Sequence, residues 1–150
     1  MGRSKFIHKL TKVLIDVMFY GGILVCILVP FIMPFMMRLL GYAHPRAVPY
    51  AIIIFTSGGC AVYILYQLKS MFKTLLGGDP FVYQNVGCLR KCGVASFIIS
   101  IIYLVRIIFW FTLGSAVIVV IFALLGLFCL TLKDLFKQAV FYKEENDWTV

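Results

Sequence analysis

The chain has 150 residues, of which 63% are hydrophobic and 13% charged, with a formal net charge of +8 and a mean hydropathy of +1.02. Those values lie outside the range of water-soluble domains and leave room for one membrane domain, residues 1–150, without a separate catalytic one. The positive charge does not indicate direct nucleic-acid binding: the basic residues flank apolar runs, where they fit anionic lipid headgroups, and no basic stripe with interleaved aromatics lies elsewhere.

Lys5, Lys9 and Lys12 precede the first apolar run as they would in a secretory signal. No small-residue cleavage site follows, so the run reads as an uncleaved span over residues 13–33. Phe6 at the sixth position argues against myristoylation. Pro30 and Pro34 are expected to kink or end this helix. Phe35 to Leu40 would then lie at headgroup level, with Gly41, Pro45 and Pro49 marking a loop. The second span covers residues 50–68 and runs into a basic helical end with Lys69 and Lys73. Gly77-Gly78 stops it, and Asp79-Pro80 is expected to start an interfacial helix, Asp79 as its cap and Pro80 at its first position. Val82, Val86, Leu89 and Gly93 fall on one face of that helix, with Arg90 and Lys91 elsewhere.

Residues 94–132 hold one charge, Arg106, and no proline. As a single helix they would measure roughly 58 Å, about twice the hydrocarbon thickness of a bilayer. Thr112-Leu113-Gly114-Ser115 is the one cluster able to turn the chain, giving spans over residues 94–111 and 115–132. A tail, residues 133–150, is expected to continue the fourth helix as far as Tyr142 and then to turn acidic with Glu144, Glu145 and Asp147. Basic residues crowd the first segment, the middle connection and the tail, so all three are expected in the cytoplasm, with both termini, of a protein of the plasma membrane. The expected fold is all-α: an integral membrane four-helix bundle with a cytoplasmic interfacial helix between spans two and three and a cytoplasmic C-terminal helical tail.

Intramembrane charges invite a functional reading. Asp16 stands one turn past Lys12 and is expected to pair with it. Arg106 falls in the outer half of the third span. It reads as a snorkelling residue with Trp110 as a cation–π neighbour, so that lysine should replace it, or else as a contact for a ligand, ion or partner. The five cysteines, Cys26, Cys60, Cys88, Cys92 and Cys129, are an odd number largely inside apolar runs and do not form a disulfide framework. Cys88 and Cys92 share a helix face but make only half of a zinc site, so no metal or cofactor is expected. Ser57-Gly58-Gly59-Cys60-Ala61, with Ser96 and Ser100, reads as small-residue packing between helices.

Asp79-Pro80-Phe81, then Asn85-Val86, Leu89-Arg90 and Gly93, and the closing Lys143-Glu144-Glu145-Asn146-Asp147-Trp148-Thr149-Val150 resemble a bacterial membrane family catalogued as domain of unknown function 2975. The resemblance implies four membrane helices and an uncharacterised activity. It also implies a gene often adjacent to one for a small helix-turn-helix regulator of the Cro type. Tyr83-Gln84 departs from the family, where acidic residues are frequent.

No nucleophile–base pair, phosphate loop or zinc motif is present, so an enzyme is not expected. The expected function is a membrane-embedded sensor or regulator whose tail docks a cytoplasmic partner through Phe141, Tyr142, Glu144, Glu145, Asp147 and Trp148. A tail closing on Arg90 and Lys91 of the same chain is the competing use of those acids. The alternative function is a small oligomeric transporter or channel, since four helices alone enclose little cavity.

Overall fold

A backbone in hydrocarbon must satisfy every N–H and C=O within itself, so apolar runs of bilayer length become helices. A computed structural model describes residues 2–40 and 47–149 and holds four of them: α1 (Gly2–Leu39), α2 (Ala47–Leu76), α3 (Tyr83–Phe109) and α4 (Leu113–Trp148). All four are long and apolar enough to cross a membrane. Exposure runs opposite to that of a soluble protein. Phe31, Ile108, Phe111 and Leu113 are 73–76% exposed, while Asn85, Ser96 and Ser115 are 0–2% exposed. Large apolar side chains face outward because their solvent is lipid.

Several boundaries depart from the sequence reading. Pro30 and Pro34 lie inside α1, which runs on to Leu39. Proline removes one backbone hydrogen bond, but leaving the helix within an apolar run would expose many more unpaired groups. Gly41 and Pro45 lie outside the described residues. Pro49 belongs to the first turn of α2, where its missing N–H has no intrahelical partner to lose. The long apolar run does divide, at Trp110–Thr112 rather than Thr112–Ser115: α3 ends at Phe109, and Leu113 already opens α4.

The interfacial helix is not a separate element. Residues 83–109 form one helix, and its Gly93 breaks nothing. A Cβ there would meet Leu130 at 3.1 Å and the Gly126 carbonyl at 3.3 Å, so this glycine lets α4 come close. Likewise the tail is continuous with the fourth span in a helix of 36 residues.

The helices pack antiparallel in chain order. Asp16 meets Lys69, and Cys26 lies against Gly58, where a Cβ would come within 2.7 Å of the cysteine sulfur. The Cys92 thiol faces Ile64 O, and the Ser57 and Tyr103 hydroxyls lie 3.4 Å apart. Ser100 Oγ donates to Val119 O at 3.0 Å, and Gly126 admits the Phe97 ring. In each pair of neighbours, residue numbers rise on one helix as they fall on the next.

Among the described residues α1 packs on α2, α2 on α3 and α3 on α4, and no other helices come together. The expected four-helix bundle is therefore an open row. Closing it would bury apolar faces that lipid tails already solvate, so no hydrophobic driving force draws α1 to α4. One end of the row holds the start of α1, the α2–α3 turn and the finish of α4, here termed the terminal end. The α3–α4 turn lies at the opposite end.

Candidate functional site

At the opposite end, Arg106 occupies the last turn of α3. Its guanidinium carbon lies 4.7 Å from the Tyr50 ring centroid on α2 and 5.8 Å from that of Tyr103. Nη1 donates to Ser115 Oγ on α4 at 2.7 Å. Nε is shielded from solvent and has no acceptor among the described residues. The side chain thus links three helices. Trp110 stacks near Tyr50, with ring centroids 6.4 Å apart. Antiparallel neighbours bring together residues roughly equidistant from their turn, which explains Ser115 beside Arg106 and was the signal available for it.

Toward the terminal end, Asp16 pairs across the helices with Lys69 at 2.8 Å, not along α1 with Lys12. The Lys69 ammonium lies 5.3 Å from the Phe19 ring centroid and 4.8 Å from that of Tyr20. These rings fix it on the side of α2 that faces Asp16. Lys12, Asp16, Lys69, Lys73 and Gln84 line a groove of about 600 Å³.

The α2–α3 turn is held by Asn85, which is 2% exposed. Its Nδ2 donates to Thr74 Oγ1 at 2.7 Å and to Pro80 O at 2.6 Å. The Thr74 hydroxyl in turn reaches Met71 O at 2.7 Å. Gly78 supplies the left-handed backbone the turn requires, at φ 87°. Asp79 and Pro80 precede α3 without starting it. The cap position is Val82, and it offers no side-chain bond. Asp79 is instead engaged by Lys143 from α4, while the Phe81 ring meets Phe136 with centroids 5.5 Å apart.

These contacts rewrite the expected internal clamp. The tail meets the turn through a tail lysine and a turn aspartate, the reverse of acids closing on Arg90 and Lys91. Among the described residues, no ion pair involves Glu144, Glu145 or Asp147, nor Arg90 or Lys91. Arg90 and Lys91 are exposed beside a groove of about 540 Å³ between α2 and α3, with Gly59, Cys60, Gly87 and Ala95 in its lining.

Phe136, Val140 and Lys143 follow the i, i+4, i+7 spacing of one helix face and are the less exposed side of the tail, with Val140 at 2%. The other side shows Phe141, Tyr142 and Trp148, the last 88% exposed. Tyr83, Lys137, Gln138, Phe141 and Tyr142 surround a hollow of about 230 Å³. Cys88 and Cys92 are 5% and 2% exposed, set into the packed face of α3. No group of three metal-ligating side chains occurs among the described residues.

Comparison with curated proteins and with solved structures gives no match. A family model does match, over residues 32–150, which include the α2–α3 turn, the Arg106 contacts and the whole tail. The chain belongs to the family described as protein of unknown function (DUF2975).

Proposed function

We propose that this is a non-enzymatic multi-pass membrane protein acting as a sensor or regulator, its terminal end in the cytoplasm and docked there by a partner protein. Orientation rests on charge. Among the described lysines and arginines, only Arg38 in the last turn of α1 and Arg106 in the last turn of α3 lie toward the opposite end. The remainder crowd the terminal end, as the positive-inside rule requires for the cytoplasmic side of a plasma membrane. There they also meet anionic lipid headgroups. The non-enzymatic reading rests on the sequence, which offers no paired nucleophile and base.

The observation that carries the docking role is the far side of α4. From Leu132 to Trp148 the helix extends about 24 Å, held at Phe136 and Lys143. It presents the exposed aromatics Phe141, Tyr142 and Trp148 among Glu144, Glu145 and Asp147, which have no ion pair among the described residues. Aromatic side chains supply contact area, and uncompensated acids select and orient a basic partner. A small helix-turn-helix regulator, the neighbour implied by the family resemblance, belongs to that basic class.

The open row favours a second reading, a small oligomeric transporter or channel, because several rows together would surround a pathway. Purification of the full chain and of a chain ending at residue 132 from native membranes separates the two. The full chain should retain a basic cytoplasmic protein in fixed ratio, and the shortened chain should lose it at equal abundance. Equal retention by both contradicts tail docking. Recovery of both as homo-oligomers alone favours the second reading.

A further inference from the structure

Arg106 has no carboxylate within reach in its own chain. The six acidic residues are Asp16, Asp79, Asp134, Glu144, Glu145 and Asp147. Asp16 pairs at Lys69, about 28 Å along α2 from the Tyr50 ring beside Arg106. Asp134 lies about 28 Å along α4 from Ser115, and the acids after it lie farther still. Asp79 precedes the start of α3, about 34 Å from Arg106 by helical rise. A second copy in the same membrane orientation carries its acids at the same far end, so oligomerisation supplies none either.

A guanidinium within a span is costly unless an anion compensates it. Only one of its N–H groups has an acceptor among the described residues, Ser115 Oγ, while Nε has none and is shielded from water. Tyr50 and Tyr103 interact with the cation through their rings, leaving the Nη edge of the guanidinium, which is not among the shielded, unpartnered atoms, for an oxyanion. The depth is suitable. Arg106 lies one turn from the end of α3, beside Trp110 and Tyr50, residue types that concentrate at the membrane–water boundary.

We propose that Arg106, oriented by the Tyr50 ring and the buried Ser115 hydroxyl, forms a phosphate-binding site at this boundary, with a phospholipid headgroup as its occupant. The planar fork matches phosphate oxygens in two-point contact, which a lysine ammonium does not reproduce. The site is independent of the tail: it lies at the other end of the row and would stand if no partner docked there.

Trp110 provides the signal. The chain has two tryptophans, so Trp148→Phe leaves Trp110 as the one indole. In maltoside micelles this protein is titrated with short-chain phosphatidylglycerol, with inorganic phosphate and with short-chain diacylglycerol. Phosphatidylglycerol should give a saturable change in Trp110 emission and diacylglycerol none. Arg106→Gln should weaken binding at least about tenfold, as expected when a charge-assisted contact is lost. Arg106→Lys, which keeps the charge, should also weaken it several-fold, and it decides the matter if the glutamine variant fails to fold. Inorganic phosphate binding as tightly as the lipid would assign the same site to a free anion. An equal response to diacylglycerol, or unchanged affinity in Arg106→Lys, would overturn the proposal.

Discussion

Replacing Glu144 and Glu145 by lysine is expected to reduce partner capture at least about tenfold, equivalent to about 1.4 kcal/mol, while insertion and abundance stay unchanged. Neither carboxylate has an ion pair among the described residues, and both are exposed. The fold therefore loses no contact when they change. The field in front of Phe141, Tyr142 and Trp148 reverses sign, which slows encounter with a basic partner and opposes the bound state. The same interaction should weaken with added salt, because exposed charges are screened within about 8–10 Å at ordinary ionic strength. Exchanging Arg90 and Lys91 for glutamate in the reversed background should not restore capture, since the acids do not meet those residues in the structure. Restoration by that exchange would show an internal clamp and remove the support for docking.

Asn85→Ala is expected to lower stability by about 2–4 kcal/mol, read by denaturant or thermal unfolding in detergent. The substitution leaves the Pro80 carbonyl without its amide donor and Thr74 Oγ1 without one of its partners in a buried site. Each unsatisfied group costs about 1–3 kcal/mol. Asn85→Asp should be no better, because a carboxylate cannot donate to the Pro80 carbonyl. The turn also presents Asp79 and Phe81 to α4, so protease sensitivity should rise around residues 77–82. Stability equal to that of the native chain in both variants would show that Asn85 does not hold the turn.

Much of this architecture is legible in composition and spacing, because bilayer thickness converts run length directly into span number. Residues 94–132 are too long for one crossing, and the break sits at Trp110–Thr112, within two residues of the expected cluster. Gly77-Gly78 stops α2 as read. Other features depend on what a local pattern cannot show. Pro30 and Pro34 look like helix ends because proline breaks helices in water, but lipid penalises the alternative more. Lys12 looks like the partner of Asp16 because i, i+4 pairs are visible in one helix, whereas Lys69 becomes a neighbour only after α1 and α2 are aligned. Asp79 has the chemistry of a cap, and Lys143, 64 positions later in the chain, engages it instead. For Arg106 the depth is readable from helical rise. The rings of Tyr50 and Tyr103 and the Ser115 hydroxyl come from three helices and require their register. A closed bundle is the natural expectation for four helices in water, and it fails here because apolar faces gain nothing by leaving lipid.

The α2–α3 turn and the extension of α4 meet in one face, for which we propose the cytoplasmic side. Compartment-sensitive reporters fused after residue 46 and after residue 150 test that placement most directly. An external signal is expected at residue 46 and a cytoplasmic signal at residue 150. The same compartment at both positions would contradict four crossings, and an external signal at residue 150 would put the proposed docking face on the wrong side of the membrane.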